Sequence, residues 1–261
     1  MSRKVFGSRA KRLEDPTLLR GNARFIDDIR LPDILHAAFV RSPFPHAKIG
    51  AIDAAAASAL EGVHSVLAFA DFEPLLINPE MVVGLPSPAY RQDRNRPILA
   101  SNETAYVGEP IAVVLATSRH VAEDALALVD IDFDPLPAAA DCRDALEPDA
   151  PPVHSDAGHN LCAEFDMDYG DVNSAFAGAA HVFSEEMKMH RGGSHSMECR
   201  GCVACHEIAM DQTTLWSSTQ MPHSLRTTFI DMTGRDENSI RVVTPDIGGG
   251  FGPKLVVYQE D

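Results

Sequence analysis

The sequence predicts an α+β fold in which a small α/β domain precedes a strand-rich domain. Two strand-to-helix units occupy the first half, a proline-rich stretch follows them, and strand-like segments dominate the remainder. The 261 residues are 45% hydrophobic, which is sufficient to form the cores of one or two domains. We place the first domain at residues 18–135, a linker at 136–160 and the second domain at 161–261.

The first domain is predicted from short apolar runs that alternate with helical periodicity. Asp53 is expected to cap the first helix, and Thr117 or Ser118 the second, because short polar side chains satisfy the first N–H groups of a helix. The last strand is expected to return to the same sheet as the others. The expected strands are at 35–40, 63–69, 111–116 and 131–133, and the expected helices are at 54–60 and 118–129.

Prolines mark two irregular stretches of the chain. Four of them fall within 73–93, which is predicted to be an extended excursion, and five fall within 134–160 among small and acidic residues. The second stretch therefore predicts the linker. The segments expected after it are a short helix following Gly170, strands at 181–189, 202–210 and 213–217, a helix at 224–232, and the apolar run 240–243.

Charge and hydropathy exclude several classes of partner. The 22 basic and 38 acidic residues give a formal net charge of -16, which argues against binding the phosphate backbone of a nucleic acid. The first nine residues lack the apolar region of a signal peptide, and the longest apolar run, 111–116, is far below the ~20 residues that span a bilayer. Five cysteines are unsuited to a secreted disulfide framework. We expect a cytoplasmic protein without a membrane span.

A cysteine cluster offers a competing functional hypothesis. Cys199, Cys202, Cys205 and His206 follow a spacing that includes the haem-attachment pattern, with His206 as an axial ligand. Covalent haem attachment is expected with export, however, and a zinc site would need a second pair of ligands. On a strand, Cys202 would face away from Cys199 and Cys205. We expect reduced, metal-free cysteines, and a small haem or iron–sulfur carrier remains the weakest alternative.

The clearest signal is a glycine cluster at 246–254, which reads DIGGGFGPK. Adjacent glycines permit positive φ angles and let backbone N–H groups approach an anionic ligand closely. The cluster does not have the spacing of a P-loop, because Pro253 precedes Lys254 and Leu255 follows it, nor that of a dinucleotide fingerprint. A plain turn between strands is the alternative that composition alone leaves open.

Together with other motifs in the same order, the glycine cluster resembles the molybdopterin-binding large subunit of the xanthine oxidase and carbon monoxide dehydrogenase family of molybdenum hydroxylases. The similarity covers nearly the whole chain and implies a hammerhead-like first domain, followed by the first, incomplete part of a molybdopterin-binding domain. The other motifs are Glu14-Asp15-Pro16, Leu19-Arg20-Gly21, the stretches 36–43, 96–100 and 106–114, and Ser218-Thr219-Gln220.

The resemblance also implies roles for particular residues. Gln220 would donate its amide to an oxygen ligand of molybdenum, and Phe251 could form a wall of the substrate channel, so these two are the candidate catalytic residues. The backbone of Gly249, Gly250, Phe251 and Gly252 would contact the cofactor. Molybdenum is held through its pterin in this family, so no side chain is implied as a metal ligand.

The cofactor and partners implied by the resemblance are those of a multi-subunit oxidoreductase. The cofactor is molybdenum–molybdopterin, for which the cytosine dinucleotide form is one option, and the iron–sulfur and FAD groups belong to partner subunits. A C-terminal remainder of the large subunit would be a further partner. The substrate would be a small molecule such as an aldehyde, an N-heterocycle or CO, and Leu255 disfavours a purine because purine-oxidising relatives carry an acidic residue there.

The resemblance also implies that the chain corresponds to the first third of such a subunit. The family's glutamate base would then lie outside it, and we expect no activity from the chain alone. A non-catalytic assembly or interaction module is the second hypothesis. Gln220 and the glycine cluster favour the enzyme, because a scaffold has no physical need for either.

Overall fold

The computed structural model describes residues 6–82, 87–92, 94–190 and 192–261, so parts of the predicted excursion at 73–93 lie outside the described residues. The helices are α1 (Asp15–Leu19), α2 (Ala55–Ser58), α3 (Phe69–Phe72), α4 (Arg119–Leu126), α5 (Val172–Gly178) and α6 (Pro222–Thr233). Single 3-10 turns lie at Ile26–Asp28, Glu73–Leu75, Asp144–Leu146, Ile208–Met210 and Glu237–Ser239. The strands are β1 (His36–Arg41), β2 (Ala47–Asp53), β3 (Val63–Ala68), β4 (Glu80–Met81), β5 (Arg96–Pro97), β6 (Glu103–Thr104), β7 (Pro110–Ala116), β8 (Asp130–Pro135), β9 (Cys202–Glu207), β10 (Gln212–Ser217) and β11 (Ile240–Val243).

The first half of the chain contains two antiparallel three-stranded sheets, in the orders β1-β7-β3 and β6-β2-β8. Strand β7 is central and nearly all of its residues are buried, as its unbroken apolar sequence predicts. Ala57, Val114 and Ala125 form the centre of the core, which joins α2, β7 and α4. The predictions of β1, β3 and β7 are confirmed.

Two expectations about these sheets are wrong. Residues 131–133 do lie in a strand, β8, but β8 pairs with β2 in the second sheet instead of returning to the first. Strand β2 was not predicted, because its polar and glycine residues break the apolar pattern and much of it is exposed. Strand β4 lies within 73–93 and pairs with β5, which follows that stretch, so 73–93 is not wholly an extended excursion.

The structure places one helix cap at a predicted residue and the other one residue later than predicted. Ser118 caps α4 by accepting a hydrogen bond from the Val121 N–H at 3.2 Å, which decides between the two predicted residues. Asp53 accepts from the Ala55 N–H at 2.9 Å, but α2 begins one residue later than predicted and Ala54 occupies the cap position. Helix α2 is therefore only four residues long.

The second half contains one three-stranded sheet in the order β9-β10-β11. Strand β9 pairs antiparallel with β10, whereas β11 pairs parallel with β10 and is reached through α6. The C-terminal end of α6 is closed by Gly234 at φ 67°, which a residue without Cβ adopts at little cost. Strand β9 stops at Glu207, so the predicted strand 202–210 is too long at its C-terminal end.

The predicted strand at 181–189 is wrong. Residues 162–195, which we call the outer segment, are exposed wherever they are described, and their single regular element is α5. A strand needs a neighbouring edge for its N–H and C=O groups, and no described strand pairs with this segment. Among the described residues, no helix has both the length and the apolar character needed to cross a membrane.

Candidate functional site

The glycine loop (residues 246–254) lies beside the turn that follows β10. Strands β10 and β11 are parallel, so their carboxyl ends meet at the same edge of the sheet and the connections that leave them become neighbours. The Gln220 N–H donates to the Lys254 carbonyl at 2.8 Å, and the Gly252 N–H donates to Gln220 Oε1 at 3.2 Å. The structure therefore brings Gln220 and the loop together. The two residues of the second bond, Gln220 and Gly252, are 32 residues apart in the sequence.

The glycines of the loop are required by contacts within the chain itself. A Cβ built on Gly250 would lie 2.5 Å from the side-chain carbon of the Gln220 amide, and one on Gly248 would lie 2.6 Å from Glu198 Cβ. Gly249 and Gly252 both have φ +97°, a left-handed conformation that side chains rarely adopt. The loop can therefore reach Gln220 only because these positions lack side chains.

The loop and Gln220 present hydrogen-bond donors that the described residues do not use. No hydrogen bond joins the N–H groups of Gly249, Gly250 or Phe251 to another described residue. Gln220 Oε1 is occupied by Gly252, while its amide nitrogen has no partner among the described residues, and the side chain is exposed. A row of backbone N–H groups beside a side-chain amide fits an anionic or oxygen-rich ligand such as a pterin cofactor. Phe251 is 68% exposed, at φ 49°.

Glu198, which is partly buried, forms a polar cluster with the buried Ser218 and Lys254 behind the loop, and sequence reasoning missed this cluster. Its Oε2 atom accepts hydrogen bonds from Lys254 Nζ at 2.8 Å, Ser218 Oγ at 2.6 Å and the Gly248 N–H at 2.8 Å. Its Oε1 atom accepts from the Ile26 N–H at 3.3 Å, which joins the cluster to the first half of the chain. Lys254 Nζ also donates to Ser218 Oγ at 2.7 Å.

The cluster determines the charge state of Glu198. Burial alone would raise the pKa of this carboxyl, but the four hydrogen bonds just described outweigh burial and lower the pKa below its ordinary value. The sequence did contain a signal, since Lys254 is a single cation in an otherwise glycine-rich turn. Its partner could not be identified, however, because Glu198 lies 56 residues away.

The cysteines of the cluster differ in their exposure in the structure. Cys199 and Cys205 are exposed, and His206 Nδ1 lies 3.1 Å from Thr213 Oγ1. Burial raises the pKa of the Cys202 thiol to about 11, which disfavours the thiolate that a metal would require. Among the described residues, no three Cys, His, Asp or Glu side chains come together in an arrangement that could hold a metal ion.

Comparisons with known proteins match nearly the whole of the chain. Residues 20–137 match the aldehyde oxidase and xanthine dehydrogenase a/b hammerhead domain, and residues 153–261 match the molybdopterin cofactor-binding domain. The nicotine 6-hydroxylase large subunit of Paenarthrobacter nicotinovorans is 38% identical over all of this chain and 32% of its own length. The carbon monoxide dehydrogenase large chain of Afipia carboxidovorans is 35% identical over 97% of this chain and 32% of its own.

A solved structure extends the comparison to three dimensions. Quinoline 2-oxidoreductase from Pseudomonas putida 86 superposes with a TM-score of 0.88 at 37% identity, covering 99% of this chain and 32% of that one. The chain thus spans about a third of the length of the curated relatives that it matches.

Proposed function

We propose, from the premise that this chain belongs to the aldehyde oxidase and xanthine dehydrogenase family of molybdenum enzymes, that it forms part of a molybdenum-cofactor-binding large subunit. The relatives that it matches are subunits of hydroxylases and dehydrogenases. The observation that supports the proposal most directly is the set of unused donors where Gln220 meets the glycine loop.

Each residue of this site has a distinct part in the proposal. The backbone N–H groups of Gly249, Gly250 and Phe251 bind the oxygen-rich end of the cofactor, and their fixed orientation avoids a reorganisation cost when charge develops. Gln220, whose side-chain oxygen is held by the Gly252 N–H, would offer its amide nitrogen to an oxygen ligand of the cofactor. Phe251, which is largely exposed, would border the substrate. The bound molybdenum cofactor supplies the redox chemistry of hydroxylation or dehydrogenation.

The finer identity of the cofactor, partners and location belongs to the same proposal. The cofactor is the molybdopterin cytosine dinucleotide, and the iron–sulfur and FAD groups are carried by separate subunits in the cytoplasm. A polypeptide equivalent to the remaining two thirds of the relatives completes the domain. The substrate is a small molecule such as an aldehyde, an N-heterocycle or CO, and Leu255 in place of an acidic residue disfavours a purine.

An assembly module without catalysis is the second candidate, and the outer segment would be its docking surface. Nine large apolar side chains are exposed there, more than a chain that works alone would be expected to present. They are Phe165, Met167, Tyr169, Val172, Phe176, Val182, Phe183, Met187 and Met189. Docking through this segment is compatible with either function, whereas the fit of Gly250 against Gln220 has a purpose only in the enzyme.

Two substitutions test the enzymatic proposal in the purified complex. Gln220→Ala removes a donor that can be worth about 2.7–4 kcal/mol in a dry site, so turnover should fall about 10²-fold or more. Gly250→Val places a branched side chain where Gln220 lies and should abolish retention of molybdenum. Gln212→Ala, on β10 but away from the loop, and Gly158→Ala, where a Cβ meets nothing within 4 Å, are the controls.

The readouts are molybdenum per chain and dehydrogenase turnover. Full turnover in Gln220→Ala together with normal molybdenum in Gly250→Val would leave only the assembly role. A parallel loss in the controls would show that the effects are not specific to the loop.

A further inference from the structure

We propose that Glu198 and Lys254 are positioning residues, which close the glycine loop at both of its ends and so pre-organise its donors for the cofactor. The inference rests on the proposed function, because it assigns the pair a purpose in cofactor binding. Neither side chain is hydrogen-bonded to the N–H groups of Gly249, Gly250 or Phe251. Both act through the backbone of the loop and through Gln220.

The burial of the pair is the first observation in its favour. The Lys254 side chain is 1% exposed and that of Glu198 is 13% exposed, and their charged atoms lie 2.8 Å apart. Removing two charges from water is costly, and apolar side chains of similar volume often stabilise a fold equally well or better. A buried ion pair is therefore better explained by the one conformation that it specifies than by the stability that it adds.

The hydrogen bonds of the pair show which conformation it specifies. Glu198 Oε2 receives the N–H of Gly248 at the start of the loop and the ammonium of Lys254 at its end. A single carboxylate oxygen thus closes the loop, and the three unused N–H groups lie between the two points of attachment. Loops that are fixed in their binding conformation before the ligand arrives lose less entropy on binding.

The same pair is also bonded to Gln220 and to the first domain, which contacts the loop as well through Arg24 and Asp246. The carbonyl of Lys254 accepts the Gln220 N–H at 2.8 Å, so displacement of the lysine would displace the amide side chain. On the other side of the carboxylate, Glu198 Oε1 accepts the Ile26 N–H. Movement of the first domain against the loop would therefore be communicated through Glu198.

The exposed ion pair between Lys188 and Asp141 provides a matched control. Its charged atoms are also 2.8 Å apart, but the Lys188 side chain is 60% exposed and lies in the outer segment. Solvent screening makes such pairs weak, so the loss of Lys188 should leave exchange of the glycine loop unchanged, and only that readout is taken from this variant because the outer segment is itself a proposed docking surface. Any effect of a lysine substitution that is specific to the loop must therefore appear at Lys254 and not at Lys188.

The test compares Lys254→Met, the double variant E198Q/K254M and Lys188→Met in the full chain within its purified complex. Amide hydrogen exchange of residues 246–254 is measured with and without cofactor, together with molybdenum content and the Mo(V) electron paramagnetic resonance spectrum. In Lys254→Met, exchange at Gly248 should rise and molybdenum should fall, each about 10-fold or more, and the retained cofactor should show shifted g values. A purely structural role would leave that spectrum unchanged.

The double variant should recover much of the protection at Gly248. It removes the unpaired buried charge, while the amide oxygen that the substitution introduces at position 198 still accepts from the Gly248 N–H. Unchanged loop exchange and an unchanged spectrum in Lys254→Met would overturn the inference while leaving the proposed function intact. If the wild-type complex contains no molybdenum, the proposed function fails, and loop exchange alone decides the role of the pair. If Lys254→Met does not fold, Ser218→Ala replaces it, and unchanged exchange at Gly248 in that variant contradicts the inference.

Discussion

Strand β7 and the outer segment are both rich in large apolar residues, yet β7 is buried and the outer segment is exposed. Six of the seven residues of β7 are buried, between β1 and β3 and beneath α4. In the outer segment, Phe183 is 91% exposed and Tyr169 is 98% exposed. The two regions therefore contain the same kinds of apolar residue. They differ in whether other described segments of the chain pack against them.

The difference shows what hydrophobic patterning can predict. An apolar run indicates that a surface must be covered, because burying it is favourable by about 25 cal/mol per Å². It does not indicate whether the cover comes from the same polypeptide. The outer segment lies in the region that matches the molybdopterin cofactor-binding domain, and the matched relatives are about three times longer than this chain. We therefore expect its cover to be supplied by further polypeptide.

The largest expected contrast is in folding stability. Ile111, which is fully buried in β7, should lose about 2–5 kcal/mol of unfolding free energy on replacement by Ala, through lost burial and the cavity left behind. Phe183→Ala, in the outer segment, should change it by no more than about 0.5 kcal/mol, because its ring contacts little. Urea denaturation measures both values. Equal losses at the two sites would contradict the contrast.

The next contrast is in binding to the completing polypeptide. A substitution in the outer segment should weaken this binding, and one in the first domain should not. Phe183→Asp should weaken association with the completing polypeptide by about 30-fold, corresponding to about 2 kcal/mol for an apolar residue at the centre of an interface. Leu75→Asp changes a side chain that is 70% exposed in the first half of the chain and serves as the control. Titration calorimetry of the two polypeptides measures the effect. Undiminished affinity in Phe183→Asp would show that the segment is not the interface.

A smaller contrast concerns the caps of α4 and α5. Ser118→Ala removes the acceptor for the Val121 N–H and should cost about 1 kcal/mol of global stability, because α4 packs on β1 and β7. Asp171→Ala removes the equivalent bond to the Ser174 N–H, yet α5 is exposed, so only local helix content should fall. Thermal unfolding and far-ultraviolet circular dichroism distinguish the two responses. A lower melting temperature in Asp171→Ala would mean that α5 packs against the fold.

The smallest contrast is in the response to pH. Burial raises the pKa of Glu109, although the hydrogen bond from the Ala105 N–H opposes it, whereas hydrogen bonds from Ser174 lower the pKa of Asp171. The folded state thus binds the Glu109 proton more tightly than the unfolded state. The contribution of Glu109 to folding stability is present in acid. It is lost as the pH rises from about 4.5 through the raised pKa of this carboxyl in the folded state.

Replacement of Glu109 by Gln should therefore flatten the fall in stability across that window, as measured by urea denaturation at several pH values. Asp171→Asn should leave the profile unchanged across that window, since the lowered pKa of its carboxyl places its titration at more acid pH. A steeper profile in Glu109→Gln would contradict the assigned direction.

The sequence by itself determined the elements whose signals are local. The unbroken apolar run of β7, the period of α4 and the polar residue Ser118 before it each identify their structure without reference to the rest of the chain. The glycine loop was identified for the same reason, since adjacent glycines are conspicuous in any context. Its proximity to Gln220 was expected only through resemblance to a family.

Only the tertiary structure decided which segments meet. Glu198 and Lys254 are separated by 56 residues, and nothing in their local sequence indicates that the carboxylate meets the buried ammonium. The pairing of β8 with β2 and the exposure of residues 181–189 have the same cause. Local propensity depends on neighbouring residues, whereas pairing and burial depend on which distant surfaces are available to cover them.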